Sequence, residues 1–208
     1  MAIPLGPNWE HALRASPYRL RFELNQSEPT YVNMFTGSYD RARRLAREAL
    51  GADNVFAVLA ANPRPQHPFG ITRQDWATGP AFQRLAAMGV DTDEAEAVWS
   101  GYVWKDDERD PKAKPWTHRA VRLSWDDADI LLWNQVAQDM GIYPQAPVVA
   151  KLVNLERAVS VYAYDDRGMD ITALRPEPIA RLHQDFDSWL LDYDRPRMSE
   201  VFQGTNVR

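Results

Sequence analysis

The residues best suited to chemistry are carboxylates that crowd two short segments near the C-terminus. The first segment reads Tyr164-Asp-Asp-Arg-Gly-Met-Asp170 and the second reads Asp192-Tyr-Asp-Arg195. Carboxylate oxygens are the ligands that Mg²⁺, Mn²⁺ and Ca²⁺ prefer, and two carboxyl groups with separated pKa values can work as acid and base. The candidates for catalysis here are Asp165, Asp166, Asp170, Asp192 and Asp194. A metal ion would use Asp165, Asp170 and Asp194.

A structural role competes with this chemistry, because each acidic segment carries its own arginine, Arg167 or Arg195. An arginine can hold a carboxylate through two hydrogen bonds, so such pairs can fix a tight turn against a helix end. Gly168 is then expected to supply a turn position with positive φ, and Trp189 joins the same structural set. This structural interpretation is favoured, and it predicts no metal ion and no cofactor.

One histidine lies where it could act as a base. His183 and Asp187 are four residues apart on a predicted helix, so they can pair as a hydrolase pairs its base with an orienting carboxylate. Both residues therefore join the catalytic candidates. A nucleophile in a recognisable motif is missing, and the favoured interpretation is a histidine at the edge of the core bonded to an aspartate. The other histidines show no zinc-ligand spacing.

A second feature is an acidic stretch that is rich in tryptophan. Residues 91–110 contain eight acidic and two basic residues, and five of the eight tryptophans fall between positions 99 and 133. Aromatic residues beside charge are common at protein interfaces, and an acidic surface speeds the association of a basic partner. The predicted binding residues lie at a hairpin tip and are Trp104, Asp106, Asp107, Glu108 and Asp110. Taken alone, this stretch favours a hairpin tip that is simply solvated over an interface.

Composition and charge exclude several classes of protein. The 208 residues include no cysteine, which removes disulfides and thiolate chemistry, and the formal charge of −5 disfavours nucleic acid as a partner. Arginines crowd residues 41–47, yet carboxylates four positions away favour a self-paired surface over an anion site. The N-terminus lacks the pattern of a secretory signal, and no apolar run is long enough to span a membrane. A cytoplasmic protein without membrane contact is expected.

Alternating strands and helices must position these residues. Strand patterns with period two, or continuous apolar runs, alternate with 3.6-residue helical patterns, and Ser124-Trp-Asp-Asp127 has the spacing of a capping box. The patterns predict strands at 18–24, 55–61, 98–104, 117–125, 148–153, 159–164 and 169–174, and helices at 31–50, 80–88, 125–140 and 179–193. We therefore predict an α+β protein with a mixed or antiparallel sheet and flanking helices. It forms a single domain over residues 1–208, with the proline-rich loop 62–80 as the candidate boundary between lobes.

Two parts of the sequence resemble a known family. Tyr164-Asp-Asp-Arg-Gly-Met-Asp170, followed by Trp189-Leu-Leu-Asp-Tyr-Asp-Arg195 and Phe202, resembles the end of the bacterial family catalogued as domain of unknown function 3885. Tyr18-Arg-Leu-Arg-Phe-Glu-Leu24 and the helix that follows it resemble the opening of that family. The resemblance implies a bacterial cytoplasmic α+β domain and carries over no catalytic residues.

The leading functional hypothesis is a non-enzymatic protein-binding module. It would engage a bacterial protein through the acidic, tryptophan-rich hairpin, as an immunity-type or regulatory partner. The alternative is a metal-assisted hydrolase that uses the C-terminal aspartates. A third interpretation is anion or nucleic-acid binding through the arginine-rich helix, and it is disfavoured by the net charge.

Overall fold

Seven strands form one antiparallel sheet in this computed structural model, which describes residues 5–25, 29–62, 78–104 and 106–202. The strands are β1 (Arg19–Glu23), β2 (Val55–Ala61), β3 (Ala97–Gly101), β4 (Trp116–Arg122), β5 (Val148–Asn154), β6 (Val159–Ala163) and β7 (Gly168–Ala173). Their order across the sheet is β1-β7-β6-β5-β2-β4-β3, and every pairing among the described strands is antiparallel. The predicted α+β class is confirmed.

Six helices accompany the sheet in the described part of the chain. They are α1 (Pro7–Ala15), α2 (Tyr31–Leu50), α3 (Thr78–Ala87), α4 (Trp125–Met140), α5 (Ala180–Asp185) and α6 (Arg195–Phe202). Helix α2 begins where the Thr30 hydroxyl accepts from the Asn33 amide, and it ends at Gly51, whose φ is 74°. Helix α4 begins with the predicted capping box, in which Ser124 and Asp127 satisfy each other's backbone amides.

One face of the sheet carries the main hydrophobic core. In β1, Leu20 and Phe22 point into this core and are fully buried, whereas Arg19 and Arg21 alternate to the opposite face. Strand β2 is buried along its whole length, as its continuous apolar run predicts. Helices α2 and α4 cover this face and pack against each other and against β5 and β6.

Among the described residues, helix α1 covers part of the opposite face of the sheet. Trp9 and Leu13 of α1 pack on Phe56, Val58 and Val153 and form a second, smaller core. The sequence patterns did not predict α1, because its nine residues carry only a short amphipathic stripe. The strands β6, β7 and β1 extend beyond the helix, and their outer side chains line the open part of this face.

The long helix expected at 179–193 does not form, and this is a correction to the sequence analysis. Helix α5 ends at Asp185, and Phe186 leaves helical geometry at φ −120° and ψ 30°. Leu190 then forms an antiparallel bridge with Phe22, and the Leu191 amide donates to the Arg21 carbonyl at 2.8 Å. The chain leaves the helix because residues 190 and 191 pair with the edge strand β1. This tertiary pairing outweighs the helical periodicity of the sequence.

The proline-rich loop contains the proposed lobe boundary, and residues 63–77 of it lie outside the described residues. Within the described ranges, no helix combines the length and the apolar character that a membrane span requires.

Candidate functional site

A cleft of about 470 Å³ opens on the half-covered face of the sheet. Helix α1 forms one wall, and Val103 and Trp104, which follow β3, form another. Strands β5, β6 and β7 make the floor, and Arg19 of β1 lies at its side. This volume falls within the ~300–1,000 Å³ range of pockets that bind small molecules or side chains. We call the surface made by this cleft and residues 102–104 and 106–115 the cleft face.

Strand register brings polar side chains together on the floor of the cleft. Tyr162 of β6 pairs with Asp170 of β7, and Asp170 pairs with Arg21 of β1. The next row contains Ser160, Thr172 and Arg19 in the same order of strands. These side chains share one face because positions two apart in a strand point the same way. The sheet thus presents alternating positive, negative and hydroxyl groups to the cleft.

A buried carboxylate ties α1 to this floor. Glu10 is only 6% exposed, and Lys151 of β5 donates from Nζ to Glu10 Oε1 at 3.0 Å. The other oxygen, Oε2, lies 3.8 Å from His118 Nε2. Glu10 thus stands between a lysine and a histidine from two different strands, at the point where α1 meets the sheet.

His118 is the most buried histidine of the described residues, at 1% exposure. Its Nδ1 lies 3.2 Å from the Trp116 carbonyl oxygen, and its ring stacks on Trp99 at 5.2 Å. Burial lowers the pKa of His118, although the charge of Glu10 opposes this. A neutral ring that donates from Nδ1 leaves Nε2 as an acceptor, and Nε2 has no hydrogen-bond partner among the described residues.

Arg21 joins the two acidic segments that the sequence singled out. Its Nε donates to Asp170 Oδ1 at 3.0 Å, and its Nη1 donates to Asp194 Oδ2 at 3.1 Å. Arg19 adds a looser ion pair with Asp170 at 3.6 Å. Burial raises the pKa of Asp170, and Arg21 and Arg19 oppose this by favouring the carboxylate. The segments therefore converge, but on an arginine from β1.

Asp165 is used within its own turn. Its Oδ1 accepts from the backbone amides of Arg167 at 2.8 Å and Gly168 at 2.9 Å, and its Oδ2 accepts from the Arg167 side chain. The expected positive φ at Gly168 is wrong, because φ of Gly168 lies outside the left-handed region. Glycine is required there for a different reason: a Cβ would overlap the Tyr164 side chain, which lies across it.

The remaining acidic candidates lie in two places. Asp166 is buried, and its burial together with the nearby charges of Asp165 and Asp139 raises its pKa. Asp187 and Asp192 both accept from Arg195, at 2.7 and 3.1 Å. Among the described residues, no group of three or more potential ligands is arranged to hold a metal ion.

His183 does not form the expected pair with Asp187 in the described part of the chain. Its ring stacks on Phe202 at 5.6 Å, and its buried Nε2 has no hydrogen-bond partner among the described residues. Burial lowers the pKa of His183. Asp187 is engaged by Arg195 instead. Asp187 thus acts on His183 through its charge, which opposes the lowering of the His183 pKa, and not through the expected hydrogen bond.

Trp189 packs within the helical layer of the protein. Its ring centroid lies 5.1 Å from that of Phe186, and the guanidinium groups of Arg41 and Arg44 of α2 lie over it.

The arginine-rich segment of α2 contacts a neighbouring helix. Arg43 and Arg47 both donate to Asp129 of α4, at 2.7 and 2.8 Å. Arg43 and Arg47 are thus paired with a carboxylate of α4, and not with the carboxylates four positions away in α2 that the sequence suggested.

The predicted binding residues at the hairpin tip lie in different surroundings from one another. Trp104 is 45% exposed, lines the cleft and lies 6.3 Å from the Tyr162 ring. Glu108 pairs with Arg14 of α1 at 3.3 Å, and Asp110 accepts from the Lys112 amide. Asp106 is exposed, and Asp107 begins a short 3₁₀ helix at Asp107–Arg109. Residues 105–115 contain four acidic and four basic residues, so this tip has no net charge.

The sequence analysis missed most of the residues that line the cleft. Glu10, Lys151 and Tyr162 were not singled out, and His118 was set aside as isolated. Alternation in the strands does place Arg19 and Lys151 on the polar face of the sheet. This alternation is the signal in the sequence that could have pointed to these two cleft residues. Polar positions on such a face usually meet solvent. The pattern cannot tell that a helix from the N-terminus encloses part of it.

The fold and the cleft together define an α+β protein with one antiparallel sheet, helices over one face and a polar cleft on the other. The chain belongs to the family described as Domain of unknown function (DUF3885), whose model matches residues 7–194. This confirms the resemblance noted from the sequence. No curated protein matches the chain. No solved structure matches it either.

Proposed function

We propose that this protein is a non-enzymatic binding protein that docks a partner protein on its cleft face. The observation that carries the proposal is Trp104, a large side chain 45% exposed at the rim of a 470 Å³ cleft. Tryptophan and arginine are enriched among the residues that dominate binding energy, and such anchors lie beside pockets. Arg14, on the opposite wall, is 35% exposed and would complete such an anchor pair.

The surroundings of Trp104 fit an interface with a protein. Asp106, Glu108, Arg109 and Asp110 are exposed, follow Trp104 closely in the chain and carry charges of both signs, which is the composition of the polar rim that encircles an interface core. In this proposal the partner is a bacterial protein in the cytoplasm. The pairing would be regulatory or of the immunity type, in which one protein neutralises another.

The C-terminal carboxylates offer little support for the hydrolase alternative. Asp165, Asp170 and Asp194 each accept hydrogen bonds from arginine, and Asp165 also caps its own turn. A carboxylate bound in this way has an oxygen occupied and its charge balanced by arginine, which disfavours metal binding. The bonds from Arg167 to Asp165, and from Arg195 to Asp187 and Asp192, support the structural interpretation of these two arginines instead.

Site-specific crosslinking tests the proposal. A photoreactive benzophenone amino acid would replace Trp104 in one variant and Tyr143 in a matched control. Tyr143 is also exposed, but it follows α4 on the helical side of the sheet. After irradiation of native host cells, we expect a discrete protein adduct from position 104 and none from position 143.

Competition then makes the result specific. An excess of the purified wild-type chain added to a lysate should suppress the adduct, and a chain with Trp104→Ala should suppress it at least tenfold less effectively, equivalent to about 1.4 kcal/mol. Equal adducts from both positions, or no adduct from position 104, would overturn the proposal.

A further inference from the structure

The charged side chains in the cleft differ in how many of their hydrogen-bonding groups are free for a ligand. Its lining contains the cations Arg14, Arg19 and Lys151 and the anions Glu10 and Asp170. Both anions are already engaged. Glu10 accepts from Lys151, and Asp170 accepts from Arg21, which stands outside the lining. The lining therefore carries three cations against two anions, although Arg14 is itself paired with Glu108 at 3.3 Å.

Two of the cations keep hydrogen-bond donors for a ligand. Arg19 is 33% exposed, and its ion contact with Asp170 is 3.6 Å, whereas Arg21 makes the 3.0 Å hydrogen bond to the same carboxylate. Lys151 has three N–H donors and uses one on Glu10. The hydroxyls of Ser160, Tyr162 and Thr172 stand on the strands between these two cations.

The other side of the cleft is apolar. Leu13 and Val103 are buried in its walls, and Trp104 presents an indole at its rim. Such a wall favours a planar or apolar group that can pack against the ring. The cleft thus combines cationic and hydroxyl donors on its floor with an aromatic wall a few ångströms away.

We propose that the cleft binds an anionic oxygen group, a carboxylate or phosphate, carried on a planar apolar body. The inference rests on the proposed function, since it names the group that a docking partner would present to the cleft. Arg19 and Lys151 bind the anion, Tyr162 and Ser160 add neutral donors, and Trp104 packs against the body. Charge-assisted hydrogen bonds of this kind are about twice as strong as neutral ones.

Small probes test the chemistry without the partner. Benzoate, phenyl phosphate, inorganic phosphate and neutral benzamide would be titrated into the ¹⁵N-labelled chain. The indole N–H signal of Trp104, assigned with a Trp104→Phe variant, reports binding. We expect saturable shifts with benzoate and phenyl phosphate and at least tenfold weaker binding of benzamide. Comparing the two aryl anions distinguishes a carboxylate source from a phosphate source.

Two arginine variants separate binding from folding. Arg19→Gln leaves Asp170 with Arg21, and the matched control Arg47→Gln leaves Asp129 with Arg43 on the far side of the sheet. We expect Arg19→Gln to weaken benzoate at least fivefold and Arg47→Gln to leave it unchanged. A second variant, Ser160→Ala, should weaken it about twofold.

Equal affinities for benzoate and benzamide, or equal affinities of the two arginine variants, would overturn this inference. So would the absence of any saturable shift with either aryl anion. Failure of the probes together with a specific adduct at position 104 would leave the partner-docking proposal standing. Probe binding without an adduct would overturn that proposal and retain this one.

Discussion

The turn between β6 and β7 depends on one carboxylate and on one missing side chain. Asp165 receives two backbone amides and the guanidinium of Arg167, so it replaces the hydrogen bonds that the turn cannot make within the sheet. Gly168 begins β7 beneath the Tyr164 ring. A residue type expected to serve backbone freedom thus serves close packing, and the hydrogen bonds of Asp165 hold the turn in which it lies.

The Gly168→Ala substitution tests this packing. Its methyl group would overlap Tyr164, so we expect the free energy of unfolding to fall by about 1–3 kcal/mol in urea denaturation, as in other overpacked sites. Gly101→Ala in β3 is the matched control, because a Cβ there meets its nearest neighbour at an ordinary 3.6 Å. Adding Tyr164→Ala to Gly168→Ala should recover part of the loss. Equal stabilities of the two single variants would contradict the explanation.

At the scale of the element, helix α1 decides whether the cleft exists. It is nine residues long and docks through Trp9, Leu13 and the buried Glu10. An isolated helix of this length is not stable in water, so contacts with the sheet must hold it in place. The contact between Glu10 and Lys151 is its polar anchor, and Leu13 beside it lines the cleft.

The Glu10→Gln substitution should loosen this helix in particular. Breaking a buried ion pair by removing one partner costs about 3–5 kcal/mol, and the partial exposure of Lys151 reduces our expectation to about 2 kcal/mol. In hydrogen exchange, the amides of α1 should lose protection while those of β2 keep it.

Glu108→Gln serves as the control for this variant. It breaks an exposed pair with Arg14, worth about 0–1 kcal/mol, and should leave the exchange of α1 nearly unchanged. Uniform loss of protection through the sheet in Glu10→Gln would contradict a local anchoring role.

At the scale of the whole molecule, one buried and one half-buried histidine connect stability to pH. Burial holds the pKa values of His118 and His183 below the ordinary 6.5 in the folded protein. The unfolded chain therefore binds more protons than the folded one as pH falls below 6.5. This contribution to stability is complete above pH 6.5 and is lost progressively as pH falls towards the folded pKa values.

We expect the melting temperature to decrease between about pH 7.5 and 5.5, before most carboxylates titrate. His118→Asn keeps a donor in the place of Nδ1 and removes the titrating ring, so its melting temperature should depend less steeply on pH. The variant with both His118→Asn and His183→Asn should have the smallest slope. A slope in that double variant equal to the wild-type slope would show that other groups control the effect.

Local patterns in the sequence determined much of the architecture. The helix at 31–50, the buried strand at 55–61 and the capping box at Ser124 could be predicted because neighbours within a few residues carry the signal. The two hairpins and the α+β class followed from the same periodicities. The motifs at 164–170 and 189–195 indicated the family, which a match over residues 7–194 confirms.

Only the tertiary structure decided where the polar groups meet. The bond between Arg21 and Asp170 joins residues 149 positions apart, and the bond between Lys151 and Glu10 joins residues 141 apart. No local periodicity encodes contacts between residues so far apart in the sequence, because strand order and the docking of helix α1 determine them. The same cause ended α5 early, where pairing with β1 outweighed a helical stripe. The sequence thus specified the family and most of the elements, apart from α1 and the end of α5, whereas long-range packing made the cleft.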